Sequence, residues 1–270
     1  MPIIQVGNGY IYKKNVKKTK KNKIFVTFVF VMVLSVAIVG GYLLTTNLNI
    51  FSFFKLNKYM IYNSKTYYFL SLERAESYSS VNMNISEVQN QGGAGFVYSK
   101  DNNLYVIASA YNSMKDIEKV VSNNIDFDCE IVEVKFDRLI VSAEFTNEQI
   151  KTLKYSLEIV DRFFETMNDI VVSFDKKEIL AVEAKNKMQL FKEKCQIDKE
   201  NLSKQFKNNS SAVVTYVNIY LSEVISNISA LILSQNLSCD IKYTIVNSLV
   251  SFEKLQKDIR KWYEFNQDNS

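Results

Sequence analysis

Apolar residues recur along this chain with three different periods, and each predicts a different kind of element. Ile24 to Leu44, IFVTFVFVMVLSVAIVGGYLL, carries no charge over 21 residues; as a helix it spans roughly 30 Å, the thickness of a bilayer core, and predicts a transmembrane helix. From Thr66 the pattern switches to short β-favoured runs: TYYFLSL (66–72), AGFVYS (94–99), NLYVIASA (103–110) and CEIVEVKF (129–136). Between them, 74–91 repeats apolar residues at Val81, Ile85 and Val88, and 113–124 opens on Ser113 as an N-cap. Both spacings predict helices. The order is βαββαβ, an antiparallel sheet with two helices over one face and the other face left open.

Past Phe145 the period lengthens to alternating steps of three and four. Such stripes run from Ile150 to Phe174, Val214 to Leu231 and Ile241 to Trp262, with a more charged segment between Ile179 and Phe206. No Gly or Pro occurs from Phe96 to Ser270, so long helices joined by short polar turns are expected, as in an antiparallel bundle. The chain therefore reads as α+β. A basic tail (1–23) leads to the transmembrane helix (24–44) and an aromatic-rich juxtamembrane connector (45–65). The βαββαβ domain (66–137) and the helical bundle (146–265) follow. The segment Ala212 to Leu233 has one formal charge, Glu223, but its Asn and Ser residues make membrane insertion costly; a buried bundle helix is the better reading.

Charge distribution fixes the expected topology. Lys13, Lys14, Lys17, Lys18, Lys20, Lys21 and Lys23 precede the apolar span, against Lys55 and Lys58 soon after it. The positive-inside rule puts the N-terminus in the cytoplasm and everything after Leu44 outside. A cleaved secretory signal has a shorter apolar core and a small-residue cleavage site, so the length favours an uncleaved signal anchor in the cell membrane. The net charge of +4 conceals an asymmetry: the first 23 residues hold 7 of 33 basic residues and no acid, leaving 26 against 29 acidic ones. That mildly acidic remainder lacks the footprint of a nucleic-acid-binding protein.

Several chemistries are missing. The chain has no histidine, which removes Ser-His-Asp and Cys-His nucleophilic sites and every His-ligated metal site. Glu73 and Glu76 as an acid pair are outweighed by the reading of a solvated helix start. Cys129, Cys195 and Cys239 have no zinc spacing; a Cys195 to Cys239 bridge is open, although buried free thiols are the simpler reading. The sequons at Asn84, Asn201, Asn209, Asn227 and Asn236 read as chance in an Asn- and Ser-rich chain. No enzyme activity, cofactor or metal is expected.

Gly92, Gly93 and Gly95 raise two further readings. A phosphate loop needs G-x-x-x-x-G-K-[ST] between strand and helix, whereas these glycines lie between helix and strand without the lysine. QGGAGFVYS partly matches an RNA-recognition signature, but Ala94 and Ser99 occupy positions that need stacking aromatics. A left-handed helix cap leading into the sheet is the plainer role.

GGAGFVYSKDNNLYVIASAYNSMKDIEKV resembles the second half of a SPOR domain, the bacterial peptidoglycan-binding module, and TYYFLSLERAESY resembles its first strand and helix start. Tyr105, Val106, Ala108 and Tyr111 precede Ser113, Asp116 and Ile117 in the family's manner, while Leu72, Glu73 and Arg74 stand where a glycine and an aromatic are usual. The resemblance covers about residues 62–137. Alternation puts Tyr68, Leu70, Leu72, Leu104, Val106 and Ala108 beneath the helices and Tyr67, Phe69, Ser71, Tyr105, Ile107 and Ser109 on the open face. The resemblance implies that this face holds glycan strands of peptidoglycan, with a role in cell division, sporulation or envelope remodelling. Physically, its rings suit sugar faces and its hydroxyls their edges. The expected protein is thus a membrane-anchored, extracytoplasmic glycan-binding protein whose bundle serves partner binding or self-association. The alternative is an interaction scaffold in which the SPOR-like domain has lost glycan binding and acts as a packing platform under the bundle.

Overall fold

The structure, a computed structural model, describes residues 4–6, 9–11, 59–75, 78–123, 129–142, 145–207 and 211–268. The chain divides into two compact units, Met1–Leu56 and Asn57–Ser270. In the first, β1 (Ile4–Val6) and β2 (Gly9–Ile11) pair antiparallel. The expected transmembrane helix, the lysine cluster and most of the connector lie outside the described residues.

The second unit is α+β with antiparallel sheets. It starts with β3 (Tyr59–Tyr62), then β4 (Lys65–Ala75), α1 (Tyr78–Asn90), β5 (Phe96–Lys100), β6 (Asn103–Tyr111), α2 (Met114–Asn123), β7 (Glu130–Phe136) and β8 (Leu139–Ser142). Four strands form one sheet in the order β5-β6-β4-β7, every pair antiparallel. Lys100 at the end of one edge strand donates to the carbonyl of Glu133, in the middle of the other edge strand, at 2.7 Å, so the sheet curls enough to bring its two edges within reach of one side chain. β3 pairs with β8 as a separate ribbon, Tyr59 opposite Ser142, and buries Met60 and Tyr62. The end of the expected connector is therefore bound into the fold.

Five helices follow: α3 (Asn147–Leu157), α4 (Ile159–Asp175), α5 (Ala181–Gln205), α6 (Ala212–Leu233) and α7 (Leu237–Asp268). α3 starts with a capping box in which the Thr146 hydroxyl accepts from the Gln149 amide and the Gln149 side chain accepts from the Thr146 amide. The stripe from Ile150 to Phe174 predicts one helix; the chain instead turns at Glu158, between α3 and α4. α6 is long and apolar enough, by length and composition, to cross a membrane. In this unit it packs Val213, Val217, Leu221, Val224 and Ile228 into the core, each without solvent exposure.

The sheet and the helices share that core. An aromatic chain crosses it: Tyr67 lies 5.0 Å from Phe164 and 5.2 Å from Phe136 between ring centroids, Phe136 lies 5.0 Å from Phe252, and Phe252 lies 5.4 Å from Tyr220. Strand and bundle rings interlock in tilted geometry, which adds to the gain from area burial. A smaller cluster forms beneath α1, where Val81 and Val88 meet Leu104, Val106 and Ala108.

Candidate functional site

The alternation along β4 and β6 sorts the residues correctly for most of their length, but the face expected to be open is covered by the bundle. Phe69, Ser71 and Ile107 have no exposure, and Tyr67 and Tyr105 keep 3% and 6%. Phe69 meets Tyr98 edge-on at 5.3 Å, and the Tyr98 hydroxyl donates to Glu253 on α7 at 3.2 Å. The physical reason is the composition of the face: rings and an isoleucine at such density cost too much in water, and the bundle offers an apolar surface to match. The rings of Tyr67, Phe69 and Tyr105 are thus not free to stack on a sugar.

Ser109 departs from the expected face altogether. Leu70 lies opposite Ser109, but Ser71 lies opposite Ile107 and Glu73 opposite Val106, so the ladder slips twice in succession. Two residues of one strand then oppose a single residue of the other, and strict alternation is lost across each slip. Ser109 is paired with Leu70, a residue of the opposite face from Phe69. Its hydroxyl donates to the Tyr111 hydroxyl at 3.0 Å in a half-buried setting.

That hydroxyl pair lines a cleft of about 510 Å³ where the sheet, α2 and the bundle meet. The glycine loop forms part of its wall. Gly92 (φ 82°) and Gly95 (φ 62°) use the left-handed region, and the Gly93 amide donates to the Val88 carbonyl at 2.8 Å, which closes α1 as expected of a helix cap. At Gly93 a Cβ would meet Val88 Cγ1 at 2.7 Å and Ala108 Cα at 3.2 Å, so the loop rests directly on β6. α7 fixes it from outside: Lys242 donates to the Gly92 carbonyl at 2.8 Å and to Asp175 at 2.7 Å, and the Cys239 thiol donates to the Gln89 carbonyl at 3.3 Å. Sequence reasoning found the loop through its glycines. It missed Lys242 and Asp175, which no local pattern connects to a loop so distant in the chain.

A second polar centre lies at the base of the shared core. Asp161 on α4 is buried; it accepts from the Tyr67 hydroxyl at 2.7 Å and pairs with Lys65 at 2.7 Å. Burial, reinforced by the Asp161 carboxylate, pushes the Tyr67 phenol well above its ordinary value, so it stays a donor. Burial pushes the Cys195 thiol up to about 12, and all three cysteines are free. Among the described residues no group of three or more Cys, Asp or Glu side chains is placed to hold a metal. Compared with known proteins, this chain matches no family model, no curated protein and no solved structure.

Proposed function

We propose that this chain is a non-enzymatic, single-pass membrane protein whose extracytoplasmic unit is an interaction scaffold. In this reading the SPOR-like sheet serves as the packing platform for the helical bundle. The carrying observation is the burial of Tyr67, Phe69, Ser71, Tyr105 and Ile107 beneath the bundle. A sheet used in this way has no open face for a glycan strand. The membrane anchor and its orientation rest on the charge-free span Ile24 to Leu44 and the lysines before it. Incubating the full chain, in detergent, with isolated peptidoglycan sacculi and sedimenting them tests the reading. The chain is expected to stay in the supernatant; saturable co-sedimentation would overturn it.

A second reading keeps peptidoglycan binding in envelope remodelling but moves it to the cleft. It is favoured by the Ser109 and Tyr111 hydroxyls, which line that space. It expects sacculus binding that falls at least about tenfold when both hydroxyls are removed (Ser109→Ala with Tyr111→Phe), a loss of the order expected for two hydrogen bonds.

A further inference from the structure

β6 is longer than the strand that covers its outer edge. β4 runs opposite it from Leu104 to Tyr111, whereas β5 reaches only from Asn103 to Ile107. Beyond that point the preceding chain turns away through the glycine loop, leaving a single bond from the Ala94 amide to the Ala108 carbonyl at 2.7 Å. Ser109, Ala110 and Tyr111 thus have a strand on one side and the cleft on the other. Backbone amides alternate between the two edges of a strand, so part of this stretch bonds to β4 and the rest points to the edge that β5 leaves uncovered, on the side of the cleft. Water or an added strand satisfies such groups.

The surroundings select an added strand of a particular chemistry. Lysine, proline or an inward charge usually protects a free edge, yet these positions are serine, alanine and tyrosine. Val121, Val171 and Val172 supply apolar walls. The two charges on the cleft wall cancel each other, since Lys242 is held by Asp175 and by the Gly92 carbonyl. A charged segment would find no counter-charge there and would lose its hydration. The Ser109 hydroxyl proton is committed to the Tyr111 oxygen, so the main chain of β6 is a recognition group beside the remaining Tyr111 O–H donor. Pinning of the loop by Lys242 and Cys239 holds that wall of the cleft in place before anything binds.

We propose that the cleft receives an extended, uncharged, β-favoured peptide segment of a partner protein, which adds as a strand to β6 at Ser109–Tyr111. This rests on the scaffold reading and names its partner's chemistry. At about 3.3 Å per residue the open edge accommodates three to four residues of such a segment.

The probe is a library of end-blocked octapeptides with randomised centres, selected against the full chain in detergent. Val172→Arg serves as counter-target, because Val172 is 40% exposed on the cleft wall and tolerates a charge without disturbing the core. Enrichment of uncharged, β-branched or aromatic sequences that bind the wild type at least about tenfold more tightly than Val172→Arg is expected. The best peptide, remade with one central backbone nitrogen methylated, keeps its side chains and loses a main-chain donor; its binding is expected to weaken about tenfold for at least one methylation site. No enrichment over Val172→Arg, or binding indifferent to methylation at every central site, overturns the proposal. So does self-association of the wild type, seen by sedimentation velocity and abolished in Val172→Arg, which would assign the edge to a second copy. Sacculus co-sedimentation reads the scaffold proposal separately, so the two can fail independently.

Discussion

Against α1 the four-stranded sheet presents Leu104, Val106 and Ala108; against the bundle it presents Tyr67, Phe69, Tyr105, Ile107 and Phe136. The first face makes a small aliphatic cluster under one helix. The second merges into a core that reaches α4, α6 and α7 through tilted rings. Both sets come from the same strands in alternation, so the difference lies in what each face must be covered by. An aliphatic face is satisfied by the module's own helix. A face of large rings needs the bundle, and the bundle in turn cannot bury Phe164 or Phe252 without the sheet.

The largest effect should come from cutting into the aromatic face. Phe69→Ala removes a ring with no exposure and is expected to cost about 3–5 kcal/mol, while Val106→Ala, equally buried on the other face, costs about 2 kcal/mol. Urea unfolding of both variants measures the asymmetry; equal losses would mean that the two faces are equivalent. Next in size is Asp161→Ala. It leaves the buried Tyr67 hydroxyl without its acceptor and is expected to cost about 2–3 kcal/mol by the same measurement. The exposed end of the Lys65 pair adds little to that figure, since Lys65 is 45% exposed.

Most elements of the second unit were legible because their periods are clean. The run 103–110 became β6, 113–124 became α2, and Ala212–Leu233 is a helix over that same range. Alternation also assigned Tyr67, Phe69, Ser71, Tyr105 and Ile107 to one face, but nothing local could tell that the face is occupied. Occupancy is set by contacts between residues such as Tyr98 and Glu253, about 150 positions apart. The β3–β8 ribbon was hidden for the same reason, since each strand is four residues long and finds its partner across the whole module. Ser109 was misassigned by a bulge, which leaves no signal in a strand of small residues.

A smaller effect separates the core of the bundle from the cleft through their thiols. Cys195 has no exposure, and burial raises its thiol to about 12 in the fold against about 9 unfolded. The fold therefore holds this proton more tightly than the unfolded chain does. Its contribution is complete below about pH 8.5 and is lost as the pH rises towards 12. Between pH 8 and pH 10 the wild type should lose about 1 kcal/mol more than Cys195→Ala, because the buried phenols contribute equally to both. Urea midpoints at the two pH values give the difference. Cys129, half-buried on the cleft, should react with a thiol reagent in the folded protein while Cys195 does not.

The smallest expected effect is the sharpest test of how the two faces are divided. If strict alternation held through β6, Ser109 would share the bundle face with Ile107, and removing a hydroxyl from that packed core would leave the Tyr111 hydroxyl buried without a partner. That would cost about 1–3 kcal/mol. The observed register instead pairs Ser109 with Leu70 and opens it to the cleft, where water can replace the bond to Tyr111. Ser109→Ala is then expected to change stability by no more than about 0.5 kcal/mol, as a partly solvated hydroxyl does. A loss above about 1.5 kcal/mol would place Ser109 back in the core and remove the bulge. The outer edge of β6 would be unaffected, because it depends on β5 ending opposite Ile107; only the side-chain face of Ser109 depends on the slip in the β4 ladder.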